Sequence, residues 1–330
     1  MRAPRFWWEQ AGLASTLLAP LGSIYGAVAG RRLAQNGAHT GIPVICVGNP
    51  TLGGAGKTPT AITVARLLMA VGERPMFLTR GYGGKLAGPV MVTAAHPAVE
   101  VGDEPLLLAR IAPTVVARNR VAGAQLAIEK GASVIVMDDG FQNPSLAKDL
   151  SILVIDGARG LGNGAVFPAG PLRAPLGPQL ARASAILVVG AGPGLDALPH
   201  VPTLPVFHGT LEPDAASVAA LKGMKVLAFA GIGDPAKFFA TLERAGIEAR
   251  VVRGFADHHR YDFGDAASLL AEARRLNLQL VTTEKDHARL MGNADLASLA
   301  ARTRTFPVTM QVTEAQAFGK MILAASVRPA

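Results

Sequence analysis

An α/β fold in two units is what this chain of 330 residues predicts, and three observations carry that expectation. Short β-branched apolar runs ending in glycine or aspartate alternate with segments of helical spacing along most of the chain. At residues 43–58 one junction reads strand, glycine loop, helix, the context in which a phosphate-loop NTPase-like parallel sheet is built. A Pro-rich stretch at 193–213 then separates a first series of such units from a second. The expected division is an N-terminal membrane-associating helical segment at 1–38, a phosphate-loop domain at 39–200, and a smaller α/β domain at 201–330. Whether the last segment, 305–330, returns to the first domain is left open at this point.

Composition narrows the function classes. Hydrophobic residues make up 50% and charged ones 17%, which excludes an intrinsically disordered chain. A single Cys, Cys46, excludes a disulfide framework and any multi-cysteine metal site; inside Val44-Ile45-Cys46-Val47 it reads as core. The excess of 32 basic over 24 acidic residues, a net charge of +8, points to an anionic partner. Aromatics at 5% and dispersed basic residues argue against nucleic acid and leave nucleotide or anionic lipid; no protein partner is implied.

Residues 11–30 carry no charge and are flanked by Arg5, Arg31 and Arg32. Their number suffices to span a bilayer, but they lean on Ala, Gly and Ser with Pro20 in the middle. A helix lying on an anionic membrane surface, with Trp7, Trp8 and Tyr25 at headgroup depth, is the preferred reading. A helix packed on the domain core and a signal peptide are the alternatives.

The run Pro43–Gly48 is a buried strand, and Ile62, Ala65, Leu68 and Met69 recur at helical spacing after Lys57-Thr58. Between them Thr51, Leu52, Gly53, Gly54, Ala55, Gly56, Lys57 and Thr58 form a nucleotide-binding loop. Its glycines let backbone N–H groups close on phosphate oxygens at a helix N-terminus. Lys57 would reach the β- and γ-phosphates and Thr58 a Mg²⁺ ion. Thr51 stands where the strict pattern has its first glycine.

Residues 134–140, VIVMDDG, read as a strand delivering Asp138 or Asp139 to that metal. Two adjacent carboxylates repel one another without a cation. A further strand at 152–155 ends in Asp156. Arg80, in the glycine loop LTRGYGG, reads either as a phosphate ligand or as a surface arginine. Asp103 and Glu104 stand at a helix N-terminus, and Arg173 is the only charged residue of the loop 160–175. In the second series, strand 225–230 runs into Gly231-Ile232-Gly233 and a helix at 235–245. A helix around 264–276 and a strand at 278–286 follow. Between them His258 beside Asp257 reads as an acid/base group or a polar loop cluster; with His259 it makes a poor metal pair.

Taken together, these motifs resemble one family, the tetraacyldisaccharide 4′-kinases. They are Val47-Gly48-Asn49 with Gly53–Pro59; Arg80-Gly81-Tyr82-Gly83-Gly84; Gly102-Asp103-Glu104-Pro105; Asp138-Asp139-Gly140-Phe141-Gln142; Gly162-Asn163-Gly164 with Pro168–Arg173; Asp257-His258; and Thr282–Asp286. The resemblance runs from the apolar amino terminus to about residue 290. It implies transfer of the ATP γ-phosphate to the 4′-hydroxyl of a tetraacyldisaccharide 1-phosphate in lipid A synthesis, with Mg²⁺. The place implied is the cytoplasmic face of a Gram-negative inner membrane. It also implies general-base chemistry for Asp103 partnered by His258, phosphate contact for Lys57, metal contact for Thr58, Asp138 and Asp139, and acceptor contacts for Arg80, Gln142, Asn163 and Arg173. The chain departs from the family pattern at Asn143, Ala174 and Lys148, where His, Glu and Arg are often found.

The competing reading is a phosphate-loop switch ATPase of the partitioning or metal-chaperone kind. Such loops place a Lys before the paired glycines, where this chain has Leu52. A GTPase is disfavoured because Thr283-Glu284-Lys285-Asp286 does not meet the guanine-reading order.

Overall fold

The computed structural model describes residues 3–192 and 204–327. A 3₁₀ turn at Arg5–Trp7 precedes α1 (Leu13–Leu33). The first α/β series then runs β1 (Val44–Gly48), α2 (Lys57–Ala70), β2 (Pro75–Thr79), β3 (Val90–Met91), α3 (Ala98–Val101), α4 (Asp103–Ala109) and β4 (Thr114–Val116). It continues through α5 (Arg120–Glu129), β5 (Val134–Asp138), β6 (Leu150–Asp156), α6 (Leu176–Leu180), β7 (Ala185–Val189) and β8 (Val206–Pro213). The second series holds α7 (Ala215–Leu221), β9 (Lys225–Ala230), α8 (Pro235–Arg244), β10 (Glu248–Gly254), α9 (Phe263–Leu276) and β11 (Gln279–Thr282). After it come α10 (Glu284–Leu290), α11 (Ala297–Arg302), β12 (Thr303–Thr305), β13 (Val308–Val312) and α12 (Ala315–Ser326).

Nine strands form one sheet in the order β13-β8-β7-β6-β1-β5-β2-β4-β3, parallel except for β3 and β13 at its two edges. β1 lies inside it, and its continuous apolar run follows from burial on both faces. Alternation along the strand sends Ile45 and Val47 towards Val64 and Leu68 of α2 and Phe318 of α12. Val44 and Cys46 pack on the opposite side with Ala124 and Ala127 of α5. Burial pushes the Cys46 thiol up to about 11, so it stays protonated and serves as packing. Around β1 the chain first builds β2 to β5 on one side and then β6 to β8 on the other. The carboxyl ends of β1 and β5 therefore open on the crevice where such sheets bind ligands.

A second, all-parallel sheet has the order β10-β9-β11-β12. Phe238 and Leu242 of α8 cover one face, and Leu269 and Ala273 of α9 the other. Sheet membership divides the chain differently from the expected 39–200 and 201–330. The expected boundary lies outside the described residues, and β8, at 206–213, already belongs to the larger sheet. β13 pairs with β8 from 95 or more residues away and α12 packs on α2, so the chain's end lies in the first unit. Long-range antiparallel pairing of that kind leaves no local signal. The expected strand 278–286 also ends early, at Thr282. Thr283 accepts a hydrogen bond from the Asp286 N–H and so starts α10 instead.

α1 carries two stripes. Ser15, Gly22 and Gly26 are buried against the loop 160–175 and Pro175, where a side chain at Gly22 would meet the Val166 carbonyl at 2.8 Å. Leu13, Leu17, Leu21, Ile24 and Val28 line the other face and are exposed, Leu17 by 79%. The two tryptophans do not share that outer face. Trp7 is buried with its indole N–H donating to the Pro168 carbonyl, and the Arg159 guanidinium lies over the Trp8 ring.

Candidate active site

The phosphate loop leaves β1 and turns into α2 through Gly56, whose φ of 91° is left-handed and open to glycine at little cost. No atom stands within 4 Å of where a side chain at Gly53 or Gly54 would begin, which is the space a phosphate chain requires. The start of the loop is held by the segment PLR: the Leu52 N–H donates to the Pro171 carbonyl at 2.8 Å, and Arg173 N to the Pro50 carbonyl. Thr51 bridges to Leu172 in the same strip. That strip replaces the missing first glycine with a pinned, extended backbone, and it commits the Leu52 N–H away from any phosphate. Ala55 points into the core. Lys57 Nζ folds back, 3.5 Å from the Gly53 carbonyl and 3.9 Å from Asp139 Oδ2, and burial lowers its pKa.

The two carboxylates after β5 have separate surroundings. Thr58 Oγ1 donates to Asp138 Oδ2 at 3.0 Å, while Asp138 Oδ1 is buried without a partner. Burial, with Glu104 and Asp139 nearby, pushes the Asp138 carboxyl up to about 7. A buried carboxylate oxygen facing no donor is unfavourable unless a cation meets it, so Thr58 and Asp138 fit a Mg²⁺ ion. Asp139, in a left-handed conformation at φ 55°, is held bidentately by Arg173, at 2.7 Å and 3.3 Å. Burial alone would raise its pKa, but Lys57 and Arg173 hold it down to about 2.

Across the crevice, Asp103 is only 3% exposed at the start of α4. Its Oδ1 stands 3.5 Å from His258 Nδ1, and its Oδ2 accepts from Arg289 Nε at 2.8 Å. Burial opposes its charge, but the His258 hydrogen bond and Arg289 outweigh it and hold the carboxyl well below its usual range. The same pairing raises the pKa of His258. His258, at φ 54°, comes from the smaller unit, and its backbone N–H donates to the Gly231 carbonyl. Beside it, a side chain at Gly233 would reach within 3.7 Å of Gly54 N, so the second glycine loop stands over the first. His259 plays no part here; it pairs with Asp265 at 2.7 Å and stacks on Phe255.

The other expected residues fall into two groups. Arg80 is exposed at the end of β2, two residues before Tyr82, whose ring lies 4.9 Å from that of His258. Gln142 and Asn163 are instead committed within the fold. Gln142 donates to the Asn49 carbonyl and to Gln179 Oε1 and accepts from Arg173. Asn163 donates to the Phe6 carbonyl, Ser15 Oγ and the Ala169 carbonyl, which ties the amino-terminal segment to the PAGPLR loop. Arg173 likewise faces Asp139 and Thr51 rather than open solvent. The departures sit in the same packing: Ala174 is fully buried, and Lys148 donates to the Asn143 carbonyl at 2.6 Å.

Sequence reasoning gave no site role to three cations. Arg289 and Lys285 reach from α10 to Asp103 and Glu104, the latter pair at 2.6 Å. Arg120 is 3% exposed, its Nε has no partner, and no carboxylate pairs with it among the described residues. Burial and the neighbouring Arg80 lower its pKa to about 10. A charged residue i+3 from Asp286 was visible in the sequence for Arg289, but its partner lies 186 residues away.

A family model described as tetraacyldisaccharide-1-P 4′-kinase matches residues 14–326. The chain belongs to the tetraacyldisaccharide-1-P 4′-kinase family. A tetraacyldisaccharide 4′-kinase of Rhodopseudomonas palustris (strain BisB18) is 55% identical to it, over 98% of this chain and 95% of the relative. One of Methylobacterium sp. (strain 4-46) is 57% identical over 93% and 94%. The crystal structure of LpxK from Aquifex aeolicus in complex with ATP is similar with a TM-score of 0.74 and 26% identity. That likeness covers 95% of this chain and 99% of the other. A tetraacyldisaccharide 4′-kinase is a transferase of lipid A synthesis, and the switch-ATPase reading is set aside with that assignment.

Proposed function

We propose that this tetraacyldisaccharide 4′-kinase takes the proton of its acceptor hydroxyl on His258, oriented by Asp103, while the phosphate loop presents the γ-phosphate of ATP. One observation carries that reading: Asp103 and His258, 155 residues apart in sequence, meet at 3.5 Å beside the phosphate loop. A sugar hydroxyl is a poor nucleophile at neutral pH, so a positioned base is required. Asp103 is a weak one, being buried with one oxygen on Arg289 and the other on His258. With Nδ1 facing Asp103, Nε2 of His258 receives the proton. The 4′-oxygen then bonds to the γ-phosphorus as the bond to the β-phosphate oxygen breaks and ADP leaves. Lys57 follows the charge on the transferring group. Thr58 and Asp138 would hold Mg²⁺, which would supply positive charge against the phosphates of ATP.

The acceptor is a tetraacyldisaccharide 1-phosphate, and Arg80 with Arg120 offers its phosphate two guanidiniums that form no ion pair among the described residues. Such a lipid stays in its bilayer, so the enzyme docks on it. The exposed apolar stripe of α1, ending in Arg31 and Arg32, suits an anionic membrane surface at the cytoplasmic side, where ATP is available. Packing of its other stripe on the PAGPLR loop supports a helix that lies on the membrane rather than across it.

Transfer of label from γ-labelled ATP to detergent-dispersed acceptor tests the reading. Lys57→Ala and His258→Ala should each lose on the order of 100-fold or more in kcat. Wild-type turnover by His258→Ala would sink the base assignment while leaving the reaction standing.

A further inference from the structure

Arg289, on the last turn of α10, touches Asp103 directly and shares with the His258 backbone the Gly231 carbonyl. Its Nε donates to Asp103 Oδ2 at 2.8 Å, and Nη2 reaches the same oxygen. Its Nη1 donates to the Gly231 carbonyl at 2.7 Å and to Asp286 Oδ1 at 2.8 Å. That same carbonyl accepts the backbone N–H of His258 at 3.0 Å. One planar fork therefore fixes the carboxylate of the larger unit and the histidine backbone of the smaller one. It is itself fixed from behind. Asp286 is fully buried and also accepts from the Gly231 N–H, the Tyr261 hydroxyl and the Thr283 hydroxyl. Moving the guanidinium away would leave two buried carboxylates short of their counter-charge.

We propose that Arg289 is a positioning residue for phosphoryl transfer, setting the register and the charge of the Asp103–His258 pair across the junction of the two units. The proposal rests on reading that pair as the proton acceptor. His258 is faced by Asp103, Asp257 and Arg289, with the Tyr82 ring against it; Asp103 is faced by His258, Arg289 and Lys285. Lys285 is tied to Glu104. Within that set the guanidinium's positive charge lowers the proton affinity of both pair members. Its removal lets both hold protons more tightly, so the neutral imidazole forms only at higher pH.

The test is kcat and KM against pH, with ATP and detergent-dispersed tetraacyldisaccharide 1-phosphate. It compares full-length wild type, Arg289→Met, Arg289→Lys and His258→Gln, each with its melting temperature. Arg289→Met should lower kcat roughly 100-fold, leave the KM for ATP unchanged, and move the acid limb of kcat up by about one pH unit. Arg289→Lys should restore the position of the limb but not the full rate, because an ammonium cannot fork. A wild-type kcat in Arg289→Met, or an equal loss at every pH with the limb unmoved, overturns the proposal. If His258→Gln keeps the wild-type limb, the proton-acceptor reading itself falls, and the proposal with it. If it abolishes the limb while Arg289→Met leaves it in place, only the positioning role falls. Should Arg289→Met lack a cooperative melt, Arg289→Lys decides. A loss of about tenfold in kcat at unchanged melting temperature supports the role, and a wild-type kcat refutes it.

Discussion

Replacing Asn163 with alanine separates two roles that the residue cannot both fill. In the structure Nδ2 faces three acceptors, the Phe6 carbonyl at 3.2 Å, Ser15 Oγ at 3.2 Å and the Ala169 carbonyl at 3.0 Å, while Oδ1 accepts from Ala165 N at 3.1 Å. Two amide protons serve the three acceptors, so about three hydrogen bonds hold at once, each with a net contribution of about 1 kcal/mol. The Ala169 carbonyl keeps a second donor, Ser15 Oγ at 2.9 Å, so one of those losses is softened. The expected cost is about 2 kcal/mol, or roughly 4–8 °C in the melting temperature of the larger unit. Scanning calorimetry reads that shift, and limited proteolysis between Trp8 and Leu13 reads release of the amino-terminal segment. The KM for the lipid acceptor should stay at its wild-type value. An unchanged melt with a KM raised tenfold or more would refute the reasoning and return Asn163 to the acceptor site.

Two further outcomes follow from the same geometry. The pair Leu17→Glu and Leu21→Glu removes two exposed apolar contacts of α1 without touching its packed stripe. At about 2 kcal/mol each, binding to anionic phospholipid vesicles should fall by two or more orders of magnitude, while turnover of detergent-dispersed acceptor is retained. Unaltered flotation with vesicles would remove α1 from the docking surface. The pH dependence of stability has a definite sign. Asp103 and Asp139 both have folded pKa values below the ordinary 3.8, so their stabilisation is present above that value and is lost as pH falls through the folded ones. The melting temperature should therefore drop steeply below about pH 4, and Asp103→Asn should flatten that drop. An acid slope identical in Asp103→Asn and wild type would show that the carboxyl is not held charged. His258 has the opposite sign: its raised pKa stabilises at acid pH, and the contribution fades as pH rises through the folded value.

Local pattern was enough for much of this protein. The run from Pro43 to Thr58 determines strand, loop and helix, because β-branched burial, glycine freedom and helical spacing all act within a few residues. The phosphate and metal contacts expected of Lys57 and Thr58 follow from that junction. Asp103 and His258 were legible as candidates, since a carboxylate at a helix start and a histidine beside an aspartate are each visible in one line of sequence. Their roles were not. What sets the two carboxylates apart is the environment, which gives Asp138 to Thr58 and Asp139 to Arg173. Gln142 and Asn163 were both expected at the acceptor, yet packing turned one towards the phosphate loop and the other towards α1. Arg289 gave no hint of its partner, because its bond to Asp103 joins two sheets that only the folded chain brings together. What the sequence alone determines is set by backbone stereochemistry and periodicity, which act over a few residues. Proton affinity and ion pairing depend on burial and on charges a few ångströms away in space, and only the tertiary structure decides those.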